Sequence, residues 1–211
     1  MKNKTTVISA IGIILLNIIF LLFVYPSLPN KLATHWDING VVNGYMDKDI
    51  GILFIPILAI ALMLLLFFIP KLDPKYSNIK KFQGTYNIFI LGLLIFLFYI
   101  NGITILSNLG YNINMMQLMI PALSSLIFLL GILIEKSESN YTIGFRTPWT
   151  LSNSKVWDKT HKLGAKLFKI SAIITLLTVF IPSIGIYLFL ITIISVSIFL
   201  TIYSYLQSRK L

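Results

Sequence analysis

The sequence predicts an all-α integral membrane protein with six transmembrane helices, cytoplasmic N- and C-termini and a small extracellular β-hairpin in the first loop. Of the 211 residues, 57% are hydrophobic and 11% are charged, whereas soluble domains carry about 25% charged residues. Six apolar runs are long enough to cross a bilayer. Lysine and arginine also collect almost entirely on one side of these runs, as they do in membrane proteins.

The six apolar runs define the predicted spans, each within the range of about 17–25 residues that a membrane helix needs. The fifth and sixth runs almost touch, and Pro182 and Gly185 divide them into a tight hairpin. The predicted spans cover residues 6–25, 51–70, 86–107, 115–134, 165–182 and 185–206.

The distribution of basic residues predicts the orientation. With the N-terminus inside, fifteen of the seventeen lysines and arginines face the cytoplasm, and Lys31 and Lys48 lie outside. Lys2 and Lys4 precede the first apolar run in the manner of a signal peptide, but that run is too long for a signal core and lacks a small-residue cleavage site. We therefore expect a retained first span. The net charge of +10 is then a topology signal and not a sign of nucleic-acid binding.

The first outer loop, residues 26–49, carries the pattern of a β-hairpin. Residues 32–36 alternate as in a short strand, residues 37–40 form a turn signal, and an extended run follows. We expect this hairpin on the outer membrane surface, where Trp36 and Tyr45 suit the headgroup region.

The inner loop, residues 135–165, is the longest polar stretch, and we call it the motif loop. Pro148 holds Thr147 in extended geometry, so this part of the loop is not expected to be helical. Thr150 or Ser152 is expected to cap the following helix.

Apolar residues recur at helical spacing after residue 153. The sequence therefore predicts an amphipathic helix that runs into the fifth span.

Catalytic chemistry finds little support. There is no cysteine. His35 with Asp37 and Asp158 with His161 are candidate metal-binding pairs, but the predicted topology puts them on opposite membrane faces, and each pair falls short of the three protein ligands of a catalytic zinc. Asp158 is within reach of His161 on one helix face. The sequence predicts no metal, no cofactor and no catalytic residue, although pairing of His161 with a nearby Ser or Thr stays open.

The predicted spans also contain no acidic residue near their centres. Intramembrane acids usually mark proton or sodium coupling, so a coupled transporter is disfavoured. Asn17, Asn87, Asn101 and Gln117 are expected to form hydrogen bonds between helices, or to line a cavity.

Arg146 has two open interpretations. An arginine in a Gly-Phe-Arg-Thr-Pro-Trp run can bind a carboxylate, a lipid phosphate or a peptide terminus. It can also donate hydrogen bonds to loop carbonyls and fix the Pro-Trp turn.

Two motifs lie at two polar loops of the chain. The inner motif is Ile143-Gly144-Phe145-Arg146-Thr147-Pro148-Trp149-Thr150-Leu151-Ser152-Asn153, then Val156-Trp157 and Thr160-His161-Lys162-Leu163-Gly164. The outer motif is Leu28-Pro29, then Thr34-His35-Trp36-Asp37-Ile38-Asn39-Gly40 and Asn43-Gly44-Tyr45. The inner motif resembles the signature of the SdpI-type immunity protein family, and the outer motif resembles a domain often fused ahead of the SdpI portion. The resemblance therefore spans nearly the whole chain.

The resemblance implies two domains. An N-terminal two-helix domain covers residues 1–85, with its extracellular loop at 26–49. An SdpI-like four-helix domain covers residues 86–211, with the cytoplasmic motif loop at 135–165. The implied functional residues of the motif loop are Gly144, Arg146, Thr147, Pro148, Trp149, Thr150, Asn153, Trp157 and His161. Those of the extracellular loop are His35, Trp36, Asp37, Gly40 and Gly44.

The resemblance also implies a non-enzymatic protein of the plasma membrane that gives resistance to a secreted antimicrobial peptide toxin. In the signalling version, it retains a cytoplasmic repressor at the membrane. The implied partners are membrane lipids, a peptide toxin and a cytoplasmic regulator, with no direct nucleic acid. The alternative is a membrane enzyme or transporter acting on peptide or lipid through the loop from Arg146 to His161. The abundance of Ile, Asn and Lys suggests a prokaryotic source.

Overall fold

A computed structural model describes residues 3–210, which are predominantly helical; Lys2, counted above for orientation, lies outside the described residues. The helices are α1 (Asn3–Val24), α2 (Lys48–Phe68), α3 (Tyr76–Lys81), α4 (Gln83–Asn108), α5 (Met115–Lys136), α6 (Pro148–Ser152), α7 (Ser154–Leu177) and α8 (Pro182–Ser208). Short 3-10 helices cover Tyr25–Ser27, Ile69–Leu72 and Thr178–Phe180. The two strands are β1 (Lys31–Trp36) and β2 (Val42–Asp47).

Six helices within residues 3–210 are long and apolar enough to cross a membrane, so the six predicted spans are confirmed. The amphipathic segment of the motif loop continues into the fifth span as the single helix α7. The turn between the fifth and sixth spans comes slightly earlier than predicted. Pro182 occupies the first turn of α8, where its missing N–H costs nothing, and Gly185 lies inside that helix.

The spans form two groups around separate apolar clusters. One cluster joins α1, α2 and α4, with Ala10, Ala59 and Ile90 at its centre. Another joins α5, α7 and α8, with Ile127, Phe168 and Leu200 buried among them. Helix α4 contacts α5 as well as α1 and α2. The domain division at residue 85 stays a prediction.

One pair of buried polar side chains joins two spans. Asn101 of α4 donates to the Asn17 side chain of α1 at 2.7 Å, and both residues are buried. The expected role of these two asparagines in helix association is therefore confirmed, since such bonds hold membrane helices together. Large apolar side chains remain exposed along α1, α2 and α8, as a lipid-facing surface requires.

The predicted hairpin is confirmed. Strands β1 and β2 are antiparallel and pair Leu32 with Met46 and Trp36 with Val42. The Asp37 side chain accepts the backbone N–H groups of Asn39 and Val41, each at 2.9 Å, and so closes the turn. The hairpin packs at one end of the bundle, next to the C-terminal end of α4.

Candidate functional site

The motif loop is organised around Trp157, which is 0% exposed. Its indole N–H donates to the Ser137 carbonyl at 2.9 Å. Its ring stacks on His161 with centroids 3.9 Å apart. Trp157 therefore fixes the start of α7 against the end of α5 through one polar bond and one aromatic contact.

His161 is buried at 2% exposure, and both of its ring nitrogens bond to backbone groups. The Phe145 N–H donates to Nε2 at 2.8 Å. Nδ1 lies 2.8 Å from the Trp157 carbonyl. A carbonyl only accepts, so Nδ1 carries the proton and Nε2 is the acceptor. This arrangement requires the neutral ring and uses its full bonding capacity.

Asp158 and His161 lie three residues apart on α7, as their spacing predicted, but no hydrogen bond or ion pair joins them. The Asp158 side chain is exposed, and the His161 ring already binds Phe145 and Trp157. Within residues 3–210, no group of three His, Cys, Asp or Glu side chains is placed to hold a metal ion.

Gly144 makes the close approach of the loop to this ring pair possible. Its φ is +120°, a conformation that side-chain-bearing residues rarely adopt. A Cβ at this position would lie 2.6 Å from His161 Nε2 and 3.0 Å from the Trp157 ring. Glycine is therefore required both by backbone geometry and by space.

Thr147 and Thr150 form a reciprocal cap for the short helix α6. The Thr150 N–H donates to the Thr147 hydroxyl, and the Thr147 N–H donates to the Thr150 hydroxyl. Thr147 is extended as predicted, with φ −111° and ψ 162°. Its hydroxyl also lies 3.0 Å from the buried Ser204 hydroxyl of α8. This contact ties the motif loop to the last span.

The predicted caps Thr150 and Ser152 are wrong for the long helix. Asn153 caps α7 instead, accepting the N–H groups of Lys155 at 2.9 Å and Val156 at 3.4 Å. Pro148 and Trp149, expected to be non-helical, form the first turn of α6, because Pro148 stands at the one helical position that suits proline. The Trp149 ring packs on Tyr205 of α8 at 5.1 Å.

Arg146 is exposed, and its Nη1 donates to the Tyr141 carbonyl at 2.5 Å. The loop-bracing interpretation is therefore observed. The same side chain also lines a cavity of about 470 Å³ between the motif loop and α2, α4 and α5. The structure therefore also provides room for a ligand beside Arg146, as the ligand-binding interpretation requires.

Sequence reasoning missed two residues that hold the loop. Asn140 is fully buried and bonds four backbone groups, those of Glu138, Thr142 and both the N–H and C=O of Ile143. Asp73 accepts the Tyr141 N–H at 2.8 Å and the Thr142 hydroxyl at 2.6 Å. In the sequence, Asp73 is distinguished only as the single acidic residue of the basic loop before α4.

Four lysines of α7 share one exposed face. This face lies on the opposite side of α7 from the buried Trp157 and His161, and Asp158 lies at its edge. The spacing of four, three and four residues keeps its members within one stripe of the helix surface. This lysine stripe consists of Lys155, Lys159, Lys162 and Lys166, all exposed.

The outer motif residues are more accessible than the inner ones. His35 is exposed, and its Nδ1 lies 2.5 Å from the Asn43 side-chain oxygen. Trp36 is half-buried. Gly40 takes a φ of +79° in the turn, and Gly44 pairs with His35 across the strands.

The hairpin is attached to α4 by Asn108, which sequence reasoning also missed. The Asn108 side chain accepts the Ala33 N–H at 2.7 Å and donates to the Ala33 carbonyl at 3.0 Å. The motif loop contacts the segment just before α4, where Asn78 donates to the Ser139 carbonyl. Helix α4 has 26 residues and is therefore about 39 Å long. The outer and inner motif residues thus lie at opposite ends of the bundle and do not form one site.

Comparison with known proteins agrees with these motifs. Residues 136–204 match the model described as the SdpI/YfhL protein family. The SdpI resemblance is confirmed. Residues 12–60, which include the hairpin, match a second model described as Domain of unknown function (DUF1648). No solved structure matches this chain.

A curated relative extends the SdpI similarity along the full chain. The chain is 26% identical over 211 residues to the Immunity protein SdpI of Bacillus subtilis (strain 168). The match covers 99% of this chain and 98% of that protein. Together with the six spans, the similarity supports a multi-pass membrane protein of the immunity type.

Proposed function

We propose that this SdpI-like protein lies in the plasma membrane with its N-terminus inside and protects the cell from a secreted antimicrobial peptide. The observation that carries the proposal is the end-to-end similarity to the Immunity protein SdpI. The lysine and arginine distribution supports the orientation. The hairpin then faces outward, toward an arriving toxin, and the motif loop faces the cytoplasm.

We infer that the toxin meets the hairpin first. His35 and Tyr45 are exposed there, and Tyr45 is 62% accessible. Because Asn108 fastens the hairpin to α4, a change in hairpin position acts on that helix directly. Helix α4 packs on α5, which leads into the motif loop. This provides a continuous physical route between the two ends.

In this proposal the residues of the motif loop divide into two groups. Thr147, Trp157 and His161 shape the loop through buried, hydrogen-bonded side chains. Gly144 shapes it by leaving room for the ring pair. Arg146 presents a charge to its surroundings.

A second candidate function, retention of a cytoplasmic regulator, is supported by the lysine stripe. Four exposed lysines on one helix face attract an acidic protein surface. A pull-down with the full-length protein from membranes tests this function. A variant with all four lysines changed to Gln should lose a specific partner, and equal recovery by both proteins would remove the stripe from the mechanism.

The enzyme or transporter alternative is less well supported. A general base needs a ring nitrogen within reach of substrate, and both nitrogens of His161 bond backbone groups. Substrate turnover by purified protein that is lost in His161→Ala, with the variant still folded, would favour this alternative.

The test of immunity is the survival of sensitive cells exposed to peptide toxins secreted by the source organism. Cells that express the protein should survive concentrations that kill cells carrying the empty vector. The amount of protein in the membrane is measured in parallel. Equal killing across all secreted peptides, with the protein inserted, would contradict the proposal.

A further inference from the structure

The cavity beside Arg146 combines an apolar interior with a positive opening. Its volume is about 470 Å³, within the usual range for ligand pockets. The walls come from span helices and include Leu65, Phe89, Leu130 and Phe168. Tyr141 and Arg146 of the motif loop also line it and are exposed, which places them at the opening.

The positive charge of Arg146 at the opening is mostly unengaged by other protein groups. Arg146 uses one hydrogen bond, to the Tyr141 carbonyl, and within the part of the chain described here its remaining N–H groups have no partner. Lys75 lies 5.1 Å from the centroid of the Tyr141 ring. Lys71 follows Pro70, which also lines the cavity. Among the described residues, no Asp or Glu lines this space.

These features fit one chemical class of ligand. An arginine fork with free donors matches the geometry of a phosphate group. A free phosphate ion would leave the apolar walls unfilled, whereas an acyl chain fills them. A net negative headgroup also suits the neighbouring lysines better than a zwitterionic one, whose ammonium group they would repel.

We propose that this cavity binds one anionic phospholipid from the leaflet on the motif-loop side. Arg146 holds the phosphate, and an acyl chain enters between α2, α4 and α5. The lipid thereby bridges the two groups of spans beneath the motif loop. This site goes beyond the immunity function and does not depend on which toxin is recognised.

The experiment measures lipid binding to the purified full-length protein by native mass spectrometry. Phosphatidylglycerol is compared with phosphatidylcholine of the same acyl chains, and inorganic phosphate is a separate arm. Arg146→Gln removes the proposed contact. Arg209→Gln is the matched control, because Arg209 is the other arginine of the chain and is exposed at the end of α8, away from the cavity lining.

The wild-type protein should bind one phosphatidylglycerol about tenfold more tightly than phosphatidylcholine, because the neighbouring lysines repel the choline ammonium. Arg146→Gln should weaken phosphatidylglycerol binding by about tenfold or more, as loss of a charge-assisted bond to the phosphate implies, and Arg209→Gln should leave it unchanged.

Several results would overturn the proposal. A wild-type protein without preference for phosphatidylglycerol is decisive on its own and needs no variant to fold. Equal loss in Arg209→Gln would indicate general surface charge. Inorganic phosphate binding as tightly as the lipid would indicate an ion site, and displacement of the lipid by a peptide with a free carboxylate would indicate a peptide site.

Discussion

The hairpin and the motif loop carry similar residues but use them in opposite ways. Each contains a histidine, a tryptophan, an aspartate and a glycine with positive φ. In the motif loop, Trp157 and His161 are buried and bond backbone groups. In the hairpin, His35 is exposed and Trp36 is half-buried. The buried side chains of the inner motif therefore stabilise the conformation of the motif loop, whereas those of the outer motif are accessible to a partner.

The two tryptophans should show the largest contrast. Trp157→Ala removes a fully buried ring, its bond to Ser137 and its stack on His161, and should lower the free energy of unfolding by about 3–5 kcal/mol. Trp36→Ala should cost about 1 kcal/mol, typical of a partly exposed site. Denaturant unfolding of both variants in detergent micelles measures the difference. Similar losses would break the contrast between the two regions.

Gly144 and Gly40, one positive-φ glycine from each region, come next. Gly144→Ala combines backbone strain with a contact 2.6 Å from His161 Nε2, and should destabilise the protein by about 3 kcal/mol. Gly40→Ala shares the strain, but its added Cβ meets nothing closer than 3.9 Å, so a cost of about 1 kcal/mol is expected. Comparing the thermal unfolding of the two variants separates the cost of the steric clash at Gly144 from the cost of backbone strain. A Gly144→Ala variant as stable as Gly40→Ala would show that the ring pair can move aside.

Asp73 and Asp37 are compared next. Asp73 anchors the motif loop to a segment distant in sequence, whereas Asp37 closes the hairpin turn. Asp73→Ala leaves the Tyr141 N–H and the Thr142 hydroxyl without their acceptor, at an expected cost of about 2 kcal/mol. Asp37→Ala opens an exposed turn, where water can replace the lost bonds, and about 0.5–1 kcal/mol is expected. Limited proteolysis should also cut the motif loop faster in Asp73→Ala only. Unchanged cleavage there would mean that Asn140 holds the loop alone.

The lysine stripe should have the smallest effect on stability. Changing Lys155, Lys159, Lys162 and Lys166 to Gln alters exposed charges, each of which contributes within about 0.5 kcal/mol. Unfolding should therefore be nearly unchanged, while any binding of an acidic partner falls. A large loss of stability would place these lysines in the packing of the loop.

The spans and the hairpin could be predicted because their signals are local. A bilayer demands long apolar runs, and an alternating run before a turn signal indicates a hairpin. The continuous helix α7 also followed from its periodicity. The cap at Asn153 was missed, because Thr150 and Ser152 are also of preferred capping types.

The polar anchors could not be predicted, because they join residues far apart in the sequence. Asp73 and Tyr141 are 68 positions apart, and Asn108 and Ala33 are 75 apart. The spacing of Asp158 and His161 suggested that the two side chains could interact. The buried His161 ring bonds the backbone groups of Phe145 and Trp157 instead. The functional roles of the individual motif residues stay predictions, because a motif specifies residue types and not the partner that they contact.

The most direct test of the division between the two regions is toxin survival normalised to folded protein in the membrane. His35→Ala and Tyr45→Ala should lose protection while the amount of folded protein stays at the wild-type level. His161→Ala should lose protection only in proportion to its loss of folded protein. Full protection by both hairpin variants, or a fully folded His161→Ala variant without protection, would contradict the account.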